Sequence, residues 1–187
     1  VEPRRNVERA VAGEHGFAAR SDRLVNLDIR RRECIVRRPW PAQNHAAGIV
    51  VRLGTGNLWM GGCIDGVNLG PDFKYVLSLY PWERYQLDAD TKRLEVRLYD
   101  SADIPPAEQL YDLAEYVNGH RAVGRTLVHC QAGLNRSGLI TALALHLGGM
   151  SAADAISLLR EKRCPMVLCN QTFEQWLLDL DAGSAAA

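Results

Sequence analysis

The sequence lacks an excess of charge of either sign: Lys plus Arg number 22 and Asp plus Glu number 22 among 187 residues. A dedicated nucleic-acid binder draws on a basic excess, so that class is not expected, although a small local anion site stays compatible with a zero balance. A long hydrophobic run is also missing. The longest, Gly138 to Met150, falls short of the roughly 20 residues that span a bilayer and is broken by His146. No membrane role is therefore expected. Val1-Glu2-Pro3-Arg4-Arg5 carries no apolar stretch of the secretory type. The five cysteines (Cys34, Cys63, Cys130, Cys164, Cys169) form no CxxC pair, and the Cys164 to Cys169 spacing is wrong for paired zinc ligands. A disulfide scaffold is excluded, no metal or cofactor is expected, and a reducing cytoplasm is the expected compartment. His129, Cys130 and His146 share no ligand geometry, since the first two end a strand and the third lies within a helix.

What is present is an ordinary globular composition, 47% apolar and 24% charged, sized for one domain. Residues 1–40 carry ten arginines and six acids with few large apolar residues, and end at Pro39-Trp40-Pro41. Residues 1–45 are read as an Arg-rich extension, either a basic arm for an acidic partner or a solvated flank. Residues 46–181 are read as the folded domain and 182–187 as a disordered tail. Within the domain, Ile49–Leu53 and Leu58–Met60 flank a hairpin signal at Gly54-Thr55-Gly56-Asn57. Tyr75–Leu79 is a continuous apolar strand run, Thr126–His129 is a buried-type strand, and Leu94, Val96 and Leu98 alternate as a further strand. Pro105-Pro106 opens a helix with Leu110, Leu113, Ala114 and Val117 on one face, closed by Gly119. Gly138–Leu147 is a helix without a polar face, hence central. Ser151 caps a third helix and Thr172 a fourth. Strands alternating with helices predict an α/β fold, a central, mostly parallel twisted sheet flanked by helices.

The chemistry concentrates in His129-Cys130-Gln131-Ala132-Gly133-Leu134-Asn135-Arg136-Ser137-Gly138. A cysteine ends a strand, a loop follows, and a helix begins at the arginine. The successive amides of 131–136 can curl into an anion-binding nest, reinforced by the positive end of the helix dipole. Gly133 permits the backbone angle such a curl needs. Arg136 can close the nest with a bidentate fork on two oxygens of a tetrahedral dianion. A thiol at a helix N-terminus beside a cation favours its thiolate, so Cys130 is expected to be a nucleophile aimed at the phosphorus of a bound monoester. Ser137 can donate to the sulfur when it departs. His129 is read as orienting the loop through its backbone rather than as a base.

This string resembles the Cys-x5-Arg signature of cysteine-dependent protein phosphatases, in the His-Cys-x-x-Gly-x-x-Arg-Ser form of the dual-specificity group. The resemblance implies a protein tyrosine phosphatase-like fold. It also implies an aspartate, on a loop after a strand about thirty residues upstream, that protonates the leaving oxygen and then activates water. Asp100-Ser101-Ala102-Asp103-Ile104 is similar to that loop. Asp100 follows the strand directly; Asp103 is the alternative, and also fits a cap before Pro105. Asn57–Gly62, Tyr75–Leu79 and Asn170–Leu177 resemble other family segments. In that match Asn170 braces the phosphate loop and Gln171 reaches the attacking water, unless both merely cap the helix. The resemblance spans residues 46–180.

Gln131, Ala132, Leu134 and Asn135 are uncharged, where lipid phosphatases of the superfamily often carry lysines, which counts against polyphosphoinositides. With Gly133 these residues are expected to bind substrate through the loop. Leu134-Asn135 is closer to atypical members and RNA-end phosphatases, which keeps a nucleotide substrate open; a phospholipid on the same site is the other alternative. The chain is too short for the large tyrosine-specific class, which implies a shallow pocket for phosphotyrosine and phosphoserine/threonine in proteins. Trp82, Arg84 and Tyr85 are candidates for its rim, facing an acidic or aromatic substrate, and Cys63, Cys164 and Cys169 are read as small buried hydrophobes. A catalytically idle phosphate reader and a sulfurtransferase are the competing readings.

Overall fold

A computed structural model describes residues 50–53, 56–63, 69, 72–82 and 84–184; the Arg-rich segment 1–45 and Cys34 lie outside the described residues. The two strand-forming runs around Gly56-Asn57 become β1 (Val50–Arg52) and β2 (Leu58–Gly61), paired antiparallel with Arg52 opposite Trp59. β3 (Tyr75–Ser78), β4 (Lys92–Glu95) and β5 (Thr126–His129) complete a five-stranded sheet in the order β1-β2-β5-β3-β4, parallel beyond the first pair. β5 lies between β2 and β3 and is buried at every position. A strand covered on both faces does not alternate apolar with exposed polar residues; Leu127 and Val128 fill its centre, and Thr126 and His129 are buried at its ends.

Four helices follow: α1 (Ala107–Arg121), α2 (Arg136–Leu147), α3 (Ala152–Lys162) and α4 (Gln171–Ser184). Their buried residues join Leu77, Val128, Leu58 and Met60 in one core. Val76 and Leu127, one position out of phase on β3 and β5, face the opposite side and pack with Leu69, Phe73 and Trp59. α2 is the central helix, buried from Arg136 to Leu145. Each fully buried Leu or Ile contributes about 1.5–3 kcal/mol relative to exposure, so burial rather than amphipathicity holds it in place. Among the described residues no helix is long and apolar enough to cross a membrane.

The structure departs from the sequence expectations at four element ends. Pairing in β4 stops at Glu95, not at Leu98. The Val96 amide still donates to Ser78 O, the last residue of β3, and beyond it Leu98 is buried without strand pairing. α1 runs through Gly119 to Arg121; Gly119 is exposed, and the helix closes where the Val123 and Gly124 amides turn back to His120 O. Ser151 caps α3 as expected, its Oγ accepting from the Asp154 amide. Thr172 does not cap α4: Asn170 Oδ1 accepts from the Thr172 and Phe173 amides at 3.1 and 3.3 Å. α4 also continues to Ser184, into the stretch expected as a tail.

Candidate active site at the end of the central strand

β5 delivers Cys130 to the point where the sheet ends and α2 begins. The sulfur is buried, and the Gly133 amide donates to it at 3.3 Å. Ser137 Oγ, on the first turn of α2, lies 3.3 Å from the same sulfur. The loop between them is tightly backed. Cys130 N donates to Gly61 O, and Cys63 N donates to Gln131 O. Gly133 has φ of 70°, and a Cβ there would fall 2.3 Å from the backbone of Gly61 and Gly62. Two constraints therefore demand glycine at this position, backbone angle and close approach.

Asn135 occupies the N-cap position of α2, a site that ordinarily favours Asn because its side chain bonds the first-turn amides. Here the carboxamide makes no cap bond. Its Nδ2 donates to Asp100 Oδ2 at 2.9 Å, and its Oδ1 accepts from Asn170 N at 3.0 Å and from the Cys169 thiol at 3.4 Å. Of the loop amides from Gln131 to Arg136, Gly133's alone meets an acceptor among the described residues. Unpartnered amides at a helix N-terminus with the dipole behind them can receive an anion. Arg136 is 5% exposed, one guanidinium nitrogen donating to Leu98 O at 3.4 Å. Its Nε is buried with no partner among the described residues, a donor that a bound oxyanion would satisfy.

The two candidate acids separate. Both Asp100 oxygens are engaged, Oδ2 by Asn135 and Oδ1 by Asn170 Nδ2 at 2.9 Å; the latter nitrogen also donates to Ser101 O. Asp103 is exposed, and its backbone bonds only with Ser101 among the described residues. Asn170 thus does two things at once, its oxygen capping α4 and its nitrogen tying that cap to Asp100. Gln171, by contrast, is exposed on the first turn of α4.

His129 is fully buried, and burial, aided by the Arg93 and Arg136 cations, pushes its pKa down to about 4. It is therefore neutral near pH 7. Tyr85 Oη lies 2.6 Å from Nε2, and Nδ1 faces Cys130 O at 3.4 Å. Burial pushes the Tyr85 phenol up, so it stays protonated and donates to Nε2, leaving the proton on Nδ1 to face the carbonyl. This corrects the placement of Tyr85 at the rim: its ring turns inward against His129 with the Arg93 guanidinium over it, while Trp82 and Arg84 remain exposed. Leu134 is likewise a core residue by its side chain, leaving only its backbone to the loop. Cys63 is buried as expected, but Cys164 and Cys169 are half-buried, and Cys169 is a polar partner of Asn135.

Sequence reasoning missed the bracing of the loop from behind. Arg163 donates to Ala132 O and Leu168 N to Leu134 O, both at 3.4 Å. Leu168 takes φ of 58°, a left-handed angle costing a non-glycine residue roughly 1–2 kcal/mol, with its side chain fully buried. No local pattern announces that conformation. The Gly61-Gly62 pair was the available signal for the close approach of β2 to the loop.

The family described as dual specificity phosphatase, catalytic domain, matches residues 68–182. The dual specificity protein phosphatase Mpk3 of Drosophila melanogaster is 30% identical over 115 residues, 59% of this chain and 28% of that protein. The protein tyrosine phosphatase PRL-1 of Leishmania major is 51% identical over 51 residues, 27% of this chain and 28% of that protein. The chain thus spans under a third of the length of either relative. Human DUSP28 shares the fold, with a TM-score of 0.58, 20% identity, and coverage of 73% of this chain and 98% of that one. With a family match over more than half its length and the same architecture, the chain belongs to the dual specificity phosphatase catalytic domain family.

Proposed function

We propose that the protein hydrolyses phosphomonoesters through a cysteinyl-phosphate intermediate, with phosphotyrosine and phosphoserine/threonine in proteins as substrates. In this reading the dianion sits in the 131–136 amide nest with two oxygens on Arg136. The Cys130 thiolate attacks phosphorus in line, and Asp100 gives a proton to the departing oxygen. Each Asp100 oxygen accepts one carboxamide bond and keeps a second lone pair for that proton. Water then attacks the phosphocysteine, Asp100 takes its proton, and the thiolate leaves toward the Ser137 hydroxyl. Covalent catalysis divides one difficult displacement into two, and the same donors stabilise the charge in both.

The observation that carries this reading is the diversion of Asn135. Its side chain abandons the helix cap to hold Asp100, which leaves the amides open to an anion and sets the acid beside the same loop. The test is turnover of an aryl phosphate by wild type, Cys130→Ser and Asp100→Asn. Loss of turnover in Cys130→Ser, with retained binding of a phosphate mimic such as vanadate or tungstate, is expected. Undiminished turnover in that variant ends the proposal. Phosphotyrosyl and phosphothreonyl peptides, phosphoinositides and 5′-phosphorylated RNA, assayed side by side, test the substrate class.

A further inference from the structure

The Arg136 guanidinium is the inner end of a stack that reaches the surface. Its carbon lies 5.0 Å from the Tyr80 ring centroid, the Tyr80 and Trp82 rings are 4.7 Å apart, and the Arg97 guanidinium sits 4.8 Å over Trp82. Two segments build it. The chain leaving β3 carries Tyr80 and Trp82. The chain leaving β4 carries Arg97, whose neighbour Leu98 offers its carbonyl to Arg136 and which stands three residues before Asp100. Four large apolar side chains are exposed among the described residues, and two of them, Trp82 at 45% and Tyr99 at 58%, belong to these segments. Arg97 is exposed and joins no ion pair among the described residues.

A guanidinium held flat over an indole has its position fixed while its edge donors stay open, and their fork matches a carboxylate. Three steps of 5.0 Å or less separate Arg136 from Arg97. An extended peptide advances about 3.3–3.6 Å per residue. A side chain close in sequence to a phosphoresidue on Arg136 can therefore reach Arg97.

Resting on the phosphoprotein reading above, we infer that Trp82 and Arg97 form an outer wall of the phosphate pocket that selects phosphopeptides with an acidic residue beside the phosphorylated one. The peptide chain lies on Trp82 and the carboxylate bonds Arg97.

The experiment compares kcat/KM for two phosphotyrosyl peptides that differ only in Asp or Ala next to the phosphotyrosine, using wild type, Arg97→Ala, Arg97→Glu and Trp82→Ala. An exposed pair of this kind supports a preference of about fivefold at low salt. The expected wild-type ratio is therefore about five in favour of Asp. It falls to about one in Arg97→Ala, reverses in Arg97→Glu, and shrinks in Trp82→Ala with a rise in KM for both peptides. Equal rates on the two peptides by a wild type that hydrolyses aryl phosphate overturn this inference alone. Failure of the wild type on aryl phosphate overturns the phosphatase reading with it. A stronger dependence on Arg97 for 5′-phosphorylated oligoribonucleotide than for the acidic peptide also overturns it.

Discussion

Asp100 and Asn135 are joined by a 2.9 Å hydrogen bond from the Asn135 carboxamide to the Asp100 carboxylate, although 35 residues separate them in the chain. One side chain thereby joins the proposed acid to the buried start of the central helix. General acid catalysis contributes roughly 10²–10⁴-fold, and only when the acid is placed against the leaving oxygen. Asn135→Ala is expected to lower kcat about tenfold or more on phenyl phosphate, a poor leaving group, and far less on nitrophenyl phosphate. Asp100→Asn is expected to show the same contrast more strongly and to erase the limb of the pH–rate profile that reports the acid. Equal losses on both esters would assign Asn135 to structure alone.

Tyr85 donates to a histidine with no access to water. Tyr85→Phe deletes the donor and leaves the His129 Nε2 acceptor buried and unsatisfied, a loss of about 1–3 kcal/mol. Urea unfolding of the variant is expected to show a lower midpoint with an unchanged slope.

His129 also predicts a pH dependence of stability. Its folded pKa, about 4, lies below the ordinary 6.5 of the unfolded chain, because burial disfavours the cation. Between those values the unfolded state holds a proton that the folded state does not, so stability is full above about pH 6.5 and declines as pH falls toward 4. The span amounts to roughly 3 kcal/mol. Urea midpoints measured from pH 7 to pH 4 test this, against His129→Asn, whose profile is expected to be flatter through the window.

Gly119 lies within α1, exposed, and a Cβ there would meet nothing within 4 Å. Gly119→Ala is expected to stabilise the protein by about 0.5–1 kcal/mol, through helix propensity and a smaller unfolded-state entropy. Thermal unfolding measures it as a raised Tm. Gly133→Ala is the opposite case: the added carbon meets the Gly61 and Gly62 backbone, and loss of both stability and turnover is expected.

Elements whose signal is local are readable from the residues alone. Leu127 and Val128 mark the centre of a strand buried on both faces, the Ser151 cap acts within one turn, and the Cys130-to-Arg136 spacing places a thiol and a guanidinium at two ends of one short loop. The α/β class and its membership in a phosphatase family follow from those local patterns. Other features arise where distant segments meet. The β4 pairing stops early because its partner β3 ends at Ser78. Asn170, whose oxygen caps α4 locally, is tied by its nitrogen to Asp100. Tyr85 turns inward because His129 has a buried nitrogen to satisfy. A polar side chain has several competing partners in any sequence, and only packing decides which one lies 3 Å away. For that reason the Cys130 and Arg136 spacing is legible in the sequence, whereas the bonds that hold Asp100 cross 35 to 70 residues of chain.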